Sequence, residues 1–268
     1  RGITVNHQDK QLATQSEQQH PPQNLGVALV TGASSGIGMA IARRLAAEGY
    51  RVAIAARRQE RLEHLAAEMR QEGAEILAQV VDLRQEQQIL DLFQRIRTTW
   101  GGVDVLINNA GLGHRESLMD GNTDSWREML EVNVLALCIC TREAVQDMQR
   151  RGDRGHVVHL SSMSAHRVPA GSGVYSATKF AVRSLTEGLR QELRAAGSGI
   201  RVSSISPGFV ETEFAEKYSK SVERAREIYS RYPVLQPEDI AAAVWYVLSQ
   251  PDHVQVHDLL LRPTQQVS

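Results

Sequence analysis

A short apolar run, Val27-Ala28-Leu29-Val30, passes straight into Thr31-Gly32-Ala33-Ser34-Ser35-Gly36-Ile37-Gly38 and then into an apolar period of helical spacing. Such a run is long enough for a strand buried on both faces of a parallel sheet. The glycines permit a tight turn and a close approach of backbone to a bound group. Free N–H groups at the start of the next helix favour an anion there. Strand, glycine-rich turn and helix in that order form the context that a dinucleotide fingerprint requires. The spacing is Gly-x-x-x-Gly-x-Gly rather than the commoner Gly-x-Gly-x-x-Gly, and the plain alternative is a tight βα connection that binds nothing.

The alternation continues down the chain. Strands are expected at residues 27–30, 52–55, 77–81, 103–107, 156–161, 200–205 and 254–261. Helices are expected at 39–48, 59–72, 86–99, 123–150, 174–196 and 237–249. This pattern predicts an α/β class: a doubly wound parallel sheet, or Rossmann fold, of roughly seven strands with helices on both faces. No strong linker or internal repeat interrupts residues 25–268, which are expected to form a single domain. Residues 1–24, polar and rich in glutamine, read as a flexible extension.

Composition excludes several classes. Lys+Arg 30 against Asp+Glu 31 leaves a formal charge of -1 and gives no support to a nucleic-acid or anionic-membrane partner. Two cysteines, Cys138 and Cys140, cannot make a disulfide framework, which fits a reducing, cytoplasmic compartment. The polar first two dozen residues lack a secretory apolar core, and no apolar run reaches the about 18 residues of a membrane span. Among nine histidines, His156 and His159 are three apart on a strand and point to opposite faces. No His-x-x-x-His pair with a nearby acid appears, so no metal is expected.

The strand ends carry the candidate ligand-binding residues. The second strand ends in Ala56-Arg57-Arg58, where an NAD-selective site would carry an acid. Guanidinium groups there can bind a 2′-phosphate, so Arg57 and Arg58 predict NADP; the alternative is that they solvate the start of the next helix. Asp82-Leu83 follows the third strand, with Asp82 placed to contact an adenine or to cap the next turn. Asn108-Asn109-Ala110-Gly111 follows the fourth, where small and amide side chains can line a cleft while bonding local backbone. Asn133, among Val132, Val134 and Leu135, must find partners if buried. It either satisfies a kinked backbone or holds a water for proton relay. Tyr175 and Lys179, in Tyr175-Ser176-Ala177-Thr178-Lys179, leave one helix face about one turn apart. An ammonium there is expected to favour the phenolate and to bring a phenol of pKa about 10 into acid–base use.

Taken together, Thr31-Gly32-x-x-x-Gly36-x-Gly38, Asn108-Asn109-Ala110-Gly111, Asn133, Ser162, Tyr175-x-x-x-Lys179 and Pro207-Gly208 resemble the short-chain dehydrogenase/reductase family over residues 25–261. The resemblance implies a catalytic set of Asn133, Ser162, Tyr175 and Lys179. In it Tyr175 exchanges the proton with substrate oxygen, and Ser162 hydrogen-bonds that oxygen. Lys179 lowers the tyrosine pKa and holds the nicotinamide ribose, and Asn133 supports a water leading to Lys179. It further implies that Ser34, Ser35, Ile37 and the glycines hold the pyrophosphate. Asp82 and Leu83 then flank the adenine, and Asn109, Ala110 and Gly111 lie along the ribose. Pro207, Gly208, Val210 and Thr212 lie along the nicotinamide.

Within the family, Ser161-Ser162-Met163-Ser164-Ala165-His166-Arg167-Val168 and the ending Arg262-Pro263-Thr264-Gln265-Gln266-Val267 are similar to cytosolic NADP-dependent carbonyl and ketosteroid reductases. Many relatives end the last strand in Val-Asp-Gly-Gly, where this chain has Leu261-Arg262-Pro263-Thr264. A homodimer or homotetramer is implied.

Residues 213–237, mostly polar and partly helical in pattern, are expected to form a mobile substrate lid carrying Phe214, Tyr218, Tyr229 and Tyr232. These aromatics either meet a flat apolar substrate or dock the lid on the core. Arg167 or His166 either reads an acidic substrate or caps local structure. The expected activity is NADP-dependent interconversion of a ketone or aldehyde with an alcohol, with a small-molecule carbonyl or alcohol as partner. The competing reading is a non-catalytic NADP-binding sensor or scaffold.

Overall fold

The structure, a computed structural model, describes residues 24–267. The expected extension at 1–24 therefore lies, except for Asn24, outside the described residues. Seven strands are formed: β1 Val27–Thr31, β2 Arg51–Ala56, β3 Ile76–Val80, β4 Val105–Asn108, β5 His156–Leu160, β6 Arg201–Pro207 and β7 Asp258–Leu261. They make one sheet in the order β3-β2-β1-β4-β5-β6-β7, every neighbouring pair parallel. The order reverses between β1 and β4. The connections leaving their carboxyl ends run to opposite sides of that point, the place where open α/β sheets bind ligands.

The inner strands β1, β4 and β5 are buried on both faces, which is why they read as unbroken apolar runs rather than as alternation. Along β1, Ala28 and Val30 enter one core with Ile41, Leu45, Ile54, Ile240 and Val244. Val27 and Leu29 enter the other with Leu92, Phe93, Ile96, Ile139 and Val202. Burying each such side chain contributes about 1.5–3 kcal/mol relative to exposure. On the first face lie α1 Gly36–Ala47 and α9 Pro237–Leu248, packed on each other. On the second lie α3 Glu86–Trp100 and α5 Ala136–Arg150. Helices α2 Gln59–Gln71, α4 Thr123–Leu130, α6 Gly173–Ala195, α7 Phe214–Ser219 and α8 Val222–Ser230 complete the set.

Two elements depart from expectation. The single helix expected at 123–150 is α4 and α5 joined by a π-helical turn, Glu131–Leu135, with Asn133 as its buried residue. The apolar period runs through both halves, so one wide turn leaves it unbroken. The last strand starts at Asp258 rather than at 254 because side chains take the preceding backbone. Arg201 Nη1 donates to the carbonyls of Gln250, Pro251 and Val254 at 2.9–3.2 Å, and Ser203 Oγ donates to Val256 O at 2.5 Å.

Candidate active site

A cleft of about 1150 Å³ lies over the β1/β4 reversal. Of the expected catalytic and cofactor-binding residues, twenty line it, from Gly32 in the glycine turn to Thr212 before α7; Asn133 does not, and neither do Asn108 and His166. Helix α1 begins within the glycine turn, at Gly36, whose φ of +53° suits glycine. A Cβ on Gly38 would strike the Asn109 amide and the Gly32 carbonyl, so only hydrogen fits between the turn and the end of β4. Ser35 stands at the N-cap but makes no capping bond, which leaves the first N–H groups of α1 without that partner.

Arg58 closes one end of this turn. Its Nε and Nη2 donate to Ser34 Oγ at 3.2 Å, and Nη2 to Ser35 Oγ at 2.5 Å. Nη1 donates to Glu213 Oε2 at 2.8 Å. Arg57 reaches instead to Glu128 at 3.3 Å. Asp82 settles into the turn after β3: Oδ1 accepts from Arg84 N at 3.1 Å, and the Arg84 guanidinium grips both oxygens. That grip holds the Asp82 carboxyl below its usual range.

At the crevice itself Thr31 Oγ1 accepts from Asn109 N and Ala110 N, each at 3.1 Å, and Asn109 Nδ2 returns a bond to Thr31 O at 2.9 Å. These bonds fix the backbone of 109–110 against the glycine turn. Asn133 is fully partnered. Its Oδ1 accepts from Leu112 N at 2.9 Å, and Nδ2 donates to Leu112 O at 2.7 Å and to Thr178 Oγ1 at 3.0 Å. These bonds tie the π-helical turn to the Leu112 backbone and to α6.

Tyr175 and Lys179 sit in the first turns of α6, both buried. Lys179 Nζ donates to Leu160 O, at the end of β5, at 3.0 Å. It stands 5.9 Å from the centre of the Tyr175 ring. Burial drops its pKa from 10.5 to about 8. Ser162, two residues past β5, caps the short turn Met163–Ala165 and lines the cleft with Tyr175. The expected depression of the phenol is not what the closed cleft produces. Burial raises the Tyr175 pKa above its ordinary value; the nearby Ser162 side chain opposes this and Tyr218 adds to it. The cause is the lid, which excludes water from the ring: Phe214 lies 5.4 Å and Tyr218 5.7 Å from it, centre to centre.

Of the aromatics in this segment, Phe214 and Tyr218 pack on the Tyr175 ring. Tyr229 pins the lid base, its hydroxyl donating to Thr212 O at 3.0 Å. His166 bridges to the sheet edge, meeting Ser206 of β6 at 3.2 Å and Asp258 of β7 at 3.0 Å. Sequence reasoning missed two groups. Glu128 gathers Arg57, Arg84 and His114 at the far end of the cleft, at 3.3, 3.6 and 2.8 Å. Near β6, Gln266 Oε1 accepts from Phe209 N at 3.0 Å and its Nε2 meets Met163 Sδ at 3.4 Å. The unusual Leu261-Arg262-Pro263-Thr264 ending is the turn that brings Gln266 there. No local pattern signals either group.

The family model for short chain dehydrogenase matches residues 26–223. The chain belongs to the short-chain dehydrogenase family. Dehydrogenase/reductase SDR family member 11 of Bos taurus is 51% identical over 248 residues, covering 90% of this chain and 97% of that protein. Farnesol dehydrogenase of Aedes aegypti is 43% identical over 242 residues, covering 88% and 95%. Among solved structures, the closed form of serine dehydrogenase complexed with NADP+ superposes with a TM-score of 0.85 at 34% identity, covering 90% of this chain and 96% of that one. A short-chain dehydrogenase/reductase from Burkholderia phymatum in complex with NAD gives 0.81 at 26% identity, covering 89% of each. As a short-chain dehydrogenase, the protein is an oxidoreductase. Among its described residues no helix is long and apolar enough to cross a membrane.

Proposed function

We propose that the protein interconverts a ketone or aldehyde with the corresponding alcohol, using NADP(H), with Tyr175 as general acid–base. The observation that carries this reading is that Ser162, Tyr175 and Lys179 line the same cleft as the glycine turn, with Lys179 Nζ 5.9 Å from the centre of the Tyr175 ring. The cleft suits a dinucleotide: Gly36 turns the backbone at a φ of +53°, the start of α1 lacks a side-chain cap, and Arg57 and Arg58 lie where β2 ends. Ser34, Ser35, Gly32, Gly36, Ile37 and Gly38 would hold the pyrophosphate, and Arg58 with Arg57 the 2′-phosphate. Asp82 and Leu83 would flank the adenine; Asn109, Ala110 and Gly111 would lie along the ribose; Pro207, Gly208, Val210 and Thr212 would lie along the nicotinamide. When bound, the cofactor supplies or accepts the hydride at the substrate carbon.

The chain's own part is orientation and proton transfer. In reduction, the carbonyl oxygen lies between the hydroxyls of Ser162 and Tyr175, and the Tyr175 proton passes to that oxygen as charge develops on it. A phenol kept protonated by burial is the right species for that step. Lys179, close by and cationic below pH about 8, then stabilises the phenolate left behind. Oxidation runs the same transfer backwards. Asn133 keeps the 112 backbone and Thr178 in register with α6. Phe214 and Tyr218 exclude water, and with Leu112, Met163, Val222 and Ile228 they offer an apolar wall to the substrate. A cytoplasmic homodimer or homotetramer belongs to the same proposal. Exposed Leu130, Leu135 and Phe180 are apolar surface that such an assembly would bury.

The test is oxidation of NADPH and NADH in parallel against a carbonyl panel of diketone, aromatic aldehyde, 3-keto ester, keto-steroid and isoprenoid aldehyde. Turnover with NADPH well above NADH is expected. Tight NADPH binding without turnover on any member would favour the sensor reading.

A further inference from the structure

Two bonds cross the mouth of the cleft, and both end on Glu213. Its Oε2 accepts from Arg58 Nη1 at 2.8 Å, and its Oε1 accepts from Arg61 Nη1. The arginines are 155 and 152 residues away in sequence, at the start of α2, so these are bonds between two walls and not a local helix pair. A third cation, Lys217, meets Oε2 at 2.7 Å from within α7 itself. One network therefore has two partners across the cleft and one on the lid.

Glu213 occupies a telling place in the chain. The residue after it, Phe214, covers the Tyr175 ring. The residue before it, Thr212, packs over Gly36 of the glycine turn, its Cγ2 3.1 Å from where a Cβ there would sit. Arg58, on the other side, is the side chain that touches Ser34 and Ser35. Glu213 thus stands between the arginine that reaches the phosphate end and the ring that shields the phenol. The guanidinium edge facing the serines, Nε and Nη2, is not the atom that meets Glu213, which is Nη1. Holding an anion at the serines and holding the lid therefore do not call on the same donor.

The geometry points to Glu213 as a positioning residue: through Arg58 and Arg61 it ties the lid to the cofactor-side wall and sets how firmly Phe214 and Tyr218 cover Tyr175. What the lid covers is taken from the proposed function; the tether itself is a property of the free protein. Its loss acts on the closed population of the lid and so on substrate capture, and it leaves the proton-transfer groups in place.

The experiment is amide hydrogen exchange on the free protein for wild type, Glu213→Gln, Arg61→Gln and Lys217→Gln, with NADPH affinity and carbonyl kinetics measured alongside. Glu213→Gln is expected to speed exchange in Phe214–Ser219 about fivefold and Arg61→Gln about twofold, with α9 unchanged, as befits part-exposed ion pairs. For Glu213→Gln the carbonyl KM should rise about fivefold, with kcat within about twofold and NADPH affinity within about threefold. Arg61→Gln decides the matter, because it removes a cross-cleft bond without touching the lid. Unchanged lid exchange in Arg61→Gln overturns the tether, the more so if Lys217→Gln loosens the lid as much as Glu213→Gln, since the carboxylate would then act only inside α7. Failure of the wild type to turn over carbonyls or to prefer NADPH would remove the proposed function instead and leave the exchange result standing.

Discussion

The ring of Phe214 lies 5.4 Å from the ring of Tyr175, so the lid closes directly on the residue proposed to carry the proton. Phe214→Ala is expected to raise the KM of an apolar carbonyl about tenfold, the worth of one lost aromatic contact, while NADPH affinity holds. Water admitted to the ring should also bring the Tyr175 pKa down toward the ordinary phenol value. Steady-state kinetics and an ultraviolet titration of the two proteins check both. An unchanged KM would mean that Phe214 does not meet the substrate.

Arg58 bonds Ser34 and Ser35, and Arg57 lies beside it. Replacing both by alanine should weaken NADPH about 10–100-fold and NADH by less than about threefold, because only the former loses charge-assisted bonds. Fluorescence titration with each cofactor gives the ratio. Equal losses would mean that the arginines do not read the 2′-phosphate.

Much of this site was legible because its parts sit just past strand ends, and a parallel sheet brings all its carboxyl ends to one edge. A glycine turn after β1, an asparagine after β4 and a serine after β5 must meet at the β1/β4 reversal once the sheet is parallel. What was not legible comes from distance along the chain. Glu213 finds Arg58 across 155 residues, Gln266 finds Phe209 across 57, and Glu128 finds Arg57 across 71. The π-turn at Asn133 was hidden because its apolar neighbours keep the helical period. The sign of the Tyr175 shift was missed for another reason. A nearby ammonium was visible in the sequence, and the two aromatic rings that desolvate the phenol were not.

Lys179 is held by Leu160 O in a buried site, and its pKa falls from 10.5 to about 8. In the free protein its side-chain resonance should titrate with a midpoint near 8. The chain has four lysines, at 10, 179, 217 and 220, so single substitutions can assign it. The sign for stability follows. Between pH 8 and 10.5 the unfolded chain binds a proton that the folded protein does not, so this group's contribution is least below 8 and grows as pH rises through that window. A midpoint near 10.5 would contradict the burial of the ammonium.

His159 is buried between Thr186 and Thr141, and burial lowers its pKa from 6.5 to about 3. The folded protein keeps it neutral. Its contribution to stability is therefore fully present above pH 6.5 and is lost as pH falls toward 3. His159→Gln should flatten the fall in unfolding free energy between pH 6.5 and 5 by about 1 kcal/mol per pH unit. Urea unfolding at a series of pH values measures this. Parallel curves for the two proteins would place the protonation elsewhere.

The central claim is that Tyr175 moves the proton. Single-turnover oxidation of saturating NADPH by a good carbonyl substrate, in wild type and in Tyr175→Phe, tests it most directly. The account predicts a loss of about 10²–10⁴-fold in the rate of the chemical step, with NADPH affinity within about threefold. A Tyr175→Phe protein that oxidises NADPH at close to the wild-type rate would contradict it.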